Sequence, residues 1–205
     1  SSLTTNNTAP IVTHPYQNGF YIPISTPFEL KGSATDAEGD PLSYCWEEVD
    51  AGPEAPMGQP DGNCAIFRTY PPDTASNRIF PKYQYILSNS SYIAEQLPTY
   101  TRELSFRLSA RDNRVNGGGV GLVDVNFRAW GQAGPFKVTY PNVSTVTWRA
   151  GEYQNVKWDV ANTDKTPVNC KKVNILLSTD GGKTFPIVLA SAVNNDGSQY
   201  VLVPN

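Results

Sequence analysis

Apolar and polar side chains alternate along much of the chain. This spacing predicts β-strands, because successive residues of a strand point to opposite faces. The alternation is clearest at 28–34, 42–46, 104–110 and 123–129, where every second position is apolar or small. Helical spacing is scarce. Rows of this kind bury one face of a strand, so they predict two antiparallel sheets packed against each other.

A second set of alternating segments follows the linker Gly131–Pro135. Its segments lie at 136–140, 156–160 and 173–177. Two Gly-containing turns, at 179–183 and 195–197, predict hairpins because glycine tolerates positive φ. The predicted fold class is therefore all-β, with two tandem immunoglobulin-like antiparallel β-sandwiches.

The linker predicts a first domain at 1–131 and a second domain at 136–205. Only about 70 residues follow the linker, fewer than the roughly 100 of an immunoglobulin-like sandwich, so the second domain is expected to be minimal or truncated. The alternation is weak from 50 to 98, a stretch rich in Pro and Tyr. We interpret it as an insertion with a short strand at 65–70 and a helical turn or two within 82–97.

The composition narrows the function classes. The chain has 16 glycines, 17 prolines and 17% charged residues, which favours an all-β protein with many turns. A net charge of −3 without basic clusters argues against nucleic-acid binding. No apolar run approaches the ~18 residues of a transmembrane helix, so we expect no membrane insertion.

Three carboxylates, Asp36, Glu38 and Asp40, lie in one Gly-containing turn before an aromatic strand. Asp112 ends a later predicted strand and is expected at the same pole of the sandwich. Calcium prefers six to eight oxygen ligands in flexible geometry, whereas magnesium demands a tighter octahedron. The turn therefore predicts a calcium site. The alternative is a solvated turn in which Asp36 and Asp40 bond local backbone N–H groups.

Five tyrosines lie in or beside the insertion. Exposed tyrosine rings can stack on sugars or hold an extended polypeptide, which makes these residues candidate ligand contacts. The alternative is packing over the edge of the sandwich with the hydroxyls in water. These residues are Tyr70, Tyr83, Tyr85, Tyr92 and Tyr100.

The segment Ser178–Phe185 has the Asp-box pattern of sialidases and related propellers. In that pattern the Asp bonds the backbone of its own turn. One copy without a repeat favours a structural role over glycosidase chemistry, which needs two placed carboxylates.

The cysteine and histidine content argues against a catalytic site in this segment. A disulfide between Cys45 and Cys64, with Cys170 as a buried free thiol, and three reduced cysteines are equally compatible with the sequence. His14 is the single histidine, so the chain cannot supply the H-E-x-x-H motif of a zinc peptidase, and we expect no zinc in this segment. We interpret His14 itself as a surface loop residue.

The first part of the chain resembles a polycystic-kidney-disease (PKD)-like or cadherin-like module. The resemblance rests on Asn7-Thr-Ala-Pro10, the acidic turn, Tyr44-x-Trp46 and the segment 110–113. The second part resembles the immunoglobulin-like domain of the Ser/Thr-rich cell-wall-anchored family. The segments that carry this second resemblance are Tyr140-Pro-Asn142, Trp148–Gly151, Val156-Lys-Trp158, 173–182 and 195–197.

The order of these motifs is similar to the region that follows the catalytic domain of bacterial secreted reprolysin-like zinc metallopeptidases. The segments Cys45–Pro53, Leu97–Arg102 and Pro167–Cys170 support this resemblance. It implies a secreted or cell-surface location and a parent protein whose catalytic domain is a partner. It also implies that Asn7, in the segment before the first strand, adds an amide oxygen to the calcium site.

We therefore expect non-catalytic, monomeric accessory domains that space, stabilise or dock a metallopeptidase onto a protein or polysaccharide substrate. One alternative is an adhesion or carbohydrate-binding module that uses the tyrosines. A second alternative is an enzyme in its own right.

Overall fold

The computed structural model describes residues 6–205. Strands hold 38% of the residues and helix 2%, which confirms the prediction of an all-β fold. The elements are β1 (Ile11–Thr13), β2 (Phe20–Pro23), β3 (Phe28–Leu30), β4 (Ser33–Thr35), β5 (Ser43–Glu48), β6 (Arg78–Phe80), α1 (Tyr83–Leu87), β7 (Arg102–Arg111), β8 (Val120–Trp130), β9 (Lys137–Tyr140), β10 (Tyr153–Asp159), β11 (Lys172–Leu177), β12 (Ile187–Asn194) and β13 (Ser198–Leu202).

The strands form five sheets. Three of them have the orders β1-β4, β3-β6 and β2-β8-β7-β5, and the other two have the orders β13-β10-β9 and β11-β12. The pairs β1·β4, β3·β6, β5·β7, β7·β8, β9·β10, β10·β13 and β11·β12 are all antiparallel. This arrangement is consistent with β-sandwich folds. The tandem immunoglobulin-like assignment stays a prediction.

The chain divides into two compact units. The first comprises residues 6–20, 27–98 and 102–129, and the second comprises 21–26, 99–101 and 130–205. Along the chain, the last change of unit falls just before the linker at 131–135. The short segments 21–26 and 99–101 belong to the second unit, although the sequence analysis places them in the first domain.

The core of the first unit is built on β7 and β8, as their alternation predicts. Leu104, Phe106, Leu108 and Ala110 of β7 are fully buried. Six phenylalanine rings meet at this core, and the ring centroids of Phe80 and Phe106 lie 4.9 Å apart. Close aromatic pairs of this kind add to the free energy gained by burial alone. The other rings of the cluster are Phe20, Phe28, Phe67 and Phe127.

The row at 28–34 does not form the single strand that its alternation predicts. It splits into β3 and β4, which belong to different two-stranded sheets. The split falls at Gly32, where an added Cβ would lie 2.1 Å from the Leu108 side chain. Only glycine fits this close to Leu108, and it lies between the two strands that belong to different sheets.

The insertion at 50–98 contains α1, as predicted, but the predicted strand at 65–70 is wrong. Only an isolated bridge joins Phe67 to Glu95 there. The backbone N–H groups of Ile66 and Phe67 instead donate to one carboxylate oxygen of Glu48, both at 2.6 Å. A side chain thus takes the donors that a neighbouring strand would otherwise accept.

The second unit has its own core of Val156, Trp158, Ile175 and Val201. The indole Nε1 of Trp158 donates to Asn195 Oδ1 at 2.8 Å, and Asn195 Nδ2 donates to the Thr163 hydroxyl at 2.9 Å. This buried network fixes the turn at 195–197. The turn joins β12 to β13, which lie in different sheets, so the predicted hairpin at this turn is wrong.

The turn at 179–183 does close a hairpin, because β11 and β12 pair on either side of it. Asp180 bonds its near neighbours in the chain, accepting hydrogen bonds from Thr184 N and Thr184 Oγ1 and from the Ser178 hydroxyl. The backbone N–H of Thr184 is the main cause that lowers the pKa of Asp180 to about 2. The geometry agrees with a structural role for the Asp-box pattern.

The three cysteines are free thiols. Cys64 is buried and Cys170 is exposed, so the expectation that Cys170 is a buried thiol is wrong. Asn195 Nδ2 donates to the backbone carbonyl of Cys170, which fixes the main chain at this exposed residue. No helix among residues 6–205 is long and apolar enough to cross a membrane.

Candidate functional site

The acidic turn brings three carboxylates together. One oxygen from each of Asp36, Glu38 and Asp40 lies within 4.8 Å of the other two. Asp36 Oδ1 accepts the backbone N–H groups of Glu38 at 3.1 Å and Asp40 at 2.9 Å, which curls the turn around this side chain. The left-handed φ of +77° at Gly39 completes the turn.

The second oxygen of Asp36 is the unusual atom of the turn. Asp36 Oδ2 is buried, and it has no hydrogen-bond partner in the part of the chain that the structure describes. A buried carboxylate oxygen without a donor costs free energy, because it loses its hydration without replacement. A cation bound by the turn would provide the missing partner.

Asp112 and Asn7 meet beside this turn, but they bond each other. Asn7 Nδ2 donates to Asp112 Oδ2 at 2.6 Å, and Gly119 N donates to the same oxygen at 2.8 Å. The hydrogen bond from Asn7 is the main cause that lowers the pKa of Asp112. Since Asp112 can only accept, Asn7 must present its amide nitrogen there, and the Asn7 oxygen faces the Arg114 guanidinium at 3.3 Å.

Two further contacts hold this pole together, and one of them comes from the leading segment (residues 6–10). Thr8 donates from its hydroxyl to Glu38 Oε1 at 3.0 Å. Arg114 approaches Asp40 Oδ2 at 3.4 Å. The structure therefore gathers all five predicted metal residues at one pole. It groups the three carboxylates of the turn as one donor set and joins Asn7 and Asp112 as a neighbouring hydrogen-bonded pair.

The predicted ligand-contact tyrosines largely contact protein groups. The rings of Tyr85 and Tyr92 stack at a centroid distance of 5.0 Å, and the Tyr92 hydroxyl accepts from Arg68 at 3.0 Å. Tyr100 is half-buried and belongs to the second unit. The Tyr70 hydroxyl donates to Glu95 Oε2 at 3.0 Å. Burial, and then Glu95, raise the pKa of Tyr70 to about 12.

Tyr70 and Tyr83 also line an open groove in the first unit. The groove lies between β5, the segment 70–79 and the start of α1. We call it the tyrosine groove. Its other lining residues are Tyr44, Cys45, Trp46, Pro71, Asp73, Ala75, Asn77, Arg78, Ile79 and Lys82.

A buried carboxylate holds one wall of the tyrosine groove. Glu95 is 2% exposed and accepts from Arg78 Nη2 at 2.6 Å, Lys82 N at 2.9 Å and the Tyr70 hydroxyl. Arg78 also donates to the Trp46 carbonyl at 2.8 Å. Neither Glu95 nor Arg78 was predictable as a groove residue from the sequence, because a buried ion pair 17 residues apart leaves no periodic signal.

The single histidine also has a structural position. His14 Nδ1 accepts the backbone N–H of Tyr16 at 3.2 Å, so Nε2 carries the proton and donates to the Asp124 carbonyl at 3.1 Å. Both ring nitrogens are therefore bonded to backbone groups. This agrees with the interpretation of His14 as a loop residue.

Comparison with known proteins leaves the class of this chain open. No protein-family model matches the chain, and a search of curated proteins finds no significant match. The candidate site therefore has to be interpreted from its own geometry.

Proposed function

We propose that this chain is a non-catalytic accessory region of a secreted bacterial metallopeptidase, in which it spaces, stabilises or docks the catalytic domain. The proposal unites the PKD-like and immunoglobulin-like resemblances. The observation that carries it is the acidic turn, in which Asp36 has a buried oxygen without a partner among the described residues and Glu38 accepts a hydrogen bond from Thr8 of the leading segment. A bound ion there would hold the turn and the leading segment in a fixed arrangement, and so stiffen the N-terminal side of the first unit.

The polar groups of the first unit support a scaffold role. Asp112 takes its hydrogen bonds from Asn7 and from backbone N–H groups of its own loop. His14 is likewise committed to two backbone groups. Side chains used in this way hold loops in place. Bond cleavage is accordingly assigned to a separate catalytic domain of the parent protein.

Calcium is the ion proposed for the acidic turn. Asp36, Glu38 and Asp40 supply hard, anionic oxygens from one flexible turn, which suits calcium better than magnesium. The partnerless Asp36 Oδ2 fits this donor set. In the proposed complex, Asp40 exchanges its contact with Arg114 for the ion, while the Asn7–Asp112 pair fixes the neighbouring loop.

Calcium is expected to raise the melting temperature of the chain. By mass action the gain is about 2.7 kcal/mol when the free ion exceeds its dissociation constant 100-fold. Asp40→Asn should abolish the gain, because it removes one anionic ligand. Differential scanning calorimetry with and without a chelator measures the effect.

Glu54→Gln is the matched control for Asp40→Asn, because Glu54 is an exposed carboxylate outside the turn. This variant should keep the full response to calcium. A wild-type melting curve that does not change at millimolar calcium would remove the ion from the proposal.

The accessory role is tested by two activity measurements. The isolated 205-residue chain should not hydrolyse peptides or denatured protein. Deletion of this region from the parent protein should leave cleavage of short peptides intact and reduce cleavage of an insoluble or surface-bound substrate. Turnover by the isolated chain that a chelator inhibits would contradict the proposal.

The second candidate function is that of an adhesion or carbohydrate-binding module. The tyrosine groove favours it, because an open groove lined by aromatic and charged side chains is a suitable surface for a sugar polymer. The two functions are compatible, since docking of a catalytic domain requires a binding surface.

A further inference from the structure

Three cations surround one ring at the tyrosine groove. The guanidinium carbons of Arg68 and Arg78 lie 5.2 and 4.9 Å from the centroid of the Tyr70 ring, and Lys82 Nζ lies 4.8 Å from it. Cation–π contacts at these distances hold the side chains in place. These contacts do not neutralise the formal charges, so positive charge is concentrated around the Tyr70 ring.

The carboxylates at the groove do not balance this charge. Glu95 forms an ion pair with Arg78 and is buried, so it cannot also serve a ligand. Arg68 and Lys82 form no ion pair with any residue in the described range 6–205, and both are exposed. Asp73 is the other acid at the groove, and its Oδ1 accepts from Thr74 N. Arg78 and Lys82 line the groove, and Arg68 lies beside it against the Tyr70 ring, so three cations around this ring face two carboxylates.

The groove combines this excess charge with aromatic side chains. Tyr44 and Tyr83 line it together with Tyr70. An aromatic ring provides a flat apolar surface, and a neighbouring polar edge allows contact with a hydrated ligand. Sugar rings offer a matching C–H face. A ligand made of ring-shaped units that carry negative charge would satisfy both properties of the groove.

We propose that the tyrosine groove binds an anionic polysaccharide whose repeating units carry carboxylates. Lys82 attracts the carboxylates from the groove lining, and Arg68 adds its charge from beside the Tyr70 ring, while Tyr44 and Tyr83 contact the sugar rings. The proposal deepens the docking role and rests on it, because it gives the class of surface to which the parent protein would attach. An acidic peptide is less well suited, since its carboxylates lie on flexible side chains without a ring to cover the tyrosines.

Polygalacturonate tests the proposal with the full 205-residue chain. Affinity electrophoresis or isothermal titration calorimetry is performed with a chelator present, so that calcium-linked gelling of the polymer does not contribute. Binding is expected to be saturable and to weaken with added salt, because the contact is electrostatic. The same polymer with its carboxyl groups methyl-esterified keeps the rings and loses the charges, and it should bind at least about tenfold more weakly.

Charge reversal at the groove identifies the site. Lys82→Glu should reduce the affinity for polygalacturonate about tenfold or more, because it places a carboxylate against the ligand. Lys137→Glu makes the same charge change on an exposed strand of the second unit and should leave the affinity within about twofold of wild type. Equal melting temperatures of the two variants exclude unfolding as the cause.

Three results would overturn the proposal. They are equal binding of the esterified and free-acid polymers, equal loss of affinity in the two lysine variants, and tighter binding of poly-glutamate peptide than of polygalacturonate. A failure of this kind leaves the accessory role in place, which fails separately if the isolated chain hydrolyses peptides.

Discussion

Glu95→Ala is expected to destabilise the first unit by about 3–5 kcal/mol. The mutation removes the carboxylate from a buried ion pair and leaves the Arg78 guanidinium without its counter-charge. The side chains of Arg78 and Glu95 are 14% and 0% exposed, so water cannot fully replace the lost contact. The backbone N–H of Lys82 and the Tyr70 hydroxyl also lose their acceptor. Urea unfolding measures the difference in free energy.

Glu103→Ala is the matched control for Glu95→Ala. Glu103 pairs with Arg128, but the two side chains are 61% and 41% exposed, and an exposed ion pair contributes about 0–1 kcal/mol. A loss below about 1 kcal/mol in Glu95→Ala would mean that the Arg78–Glu95 pair contributes no more than a surface pair. In that case the groove wall would owe its position to the packing of the Tyr70 ring.

The free energy of unfolding is expected to fall by about 3 kcal/mol between pH 5 and pH 8, because of Glu48. Burial is the main cause that raises the pKa of Glu48 from 4.5 to about 8, and the neighbouring Asp50 adds to it, which together outweigh the buried Arg102 guanidinium 3.6 Å from Glu48 Oε1. In the unfolded chain Glu48 loses its proton near its ordinary pKa, whereas in the folded chain it keeps the proton until about pH 8. Its contribution to stability is therefore complete below pH 4.5 and is lost as the pH rises to 8.

Glu48→Gln should flatten this pH dependence. The amide oxygen still accepts from Ile66 N and Phe67 N, but the side chain no longer titrates. Glu47→Gln, one position away on β5, should retain the wild-type slope. Denaturant unfolding at pH 5, 6, 7 and 8 provides the comparison, and an equal slope in wild type and Glu48→Gln would assign the effect to another group.

The strands that the sequence predicted best are those with one buried face. In β7, Leu104 and Phe106 alternate with residues of greater exposure, and the pattern is local because a strand repeats every two residues. The same rule failed at 28–34, where the row divides between β3 and β4 around Gly32, which is in contact with Leu108. That contact joins residues 76 positions apart, and no local pattern contains it.

The candidate site shows the same division. Asp36, Glu38 and Asp40 are neighbours in sequence, so their proximity was predictable from a single turn. The pairing of Asn7 with Asp112 was only partly predictable: the expected pole is correct, but the direction of the amide depends on Arg114 and on the backbone of the Gly119 loop. The cations around Tyr70 come from separate segments of the insertion. The sequence therefore predicted the tyrosine as a candidate contact but not the cations beside it.

The hydrogen bonds of the leading segment have a mechanical consequence. The Asn7–Asp112 hydrogen bond joins residues 105 positions apart, and the Thr8–Glu38 hydrogen bond joins residues 30 positions apart. Tension applied through the N-terminal side would load these two bonds before it reaches the antiparallel pair β1·β4. A pull from that side would therefore first release the leading segment (residues 6–10), while the phenylalanine core remains folded.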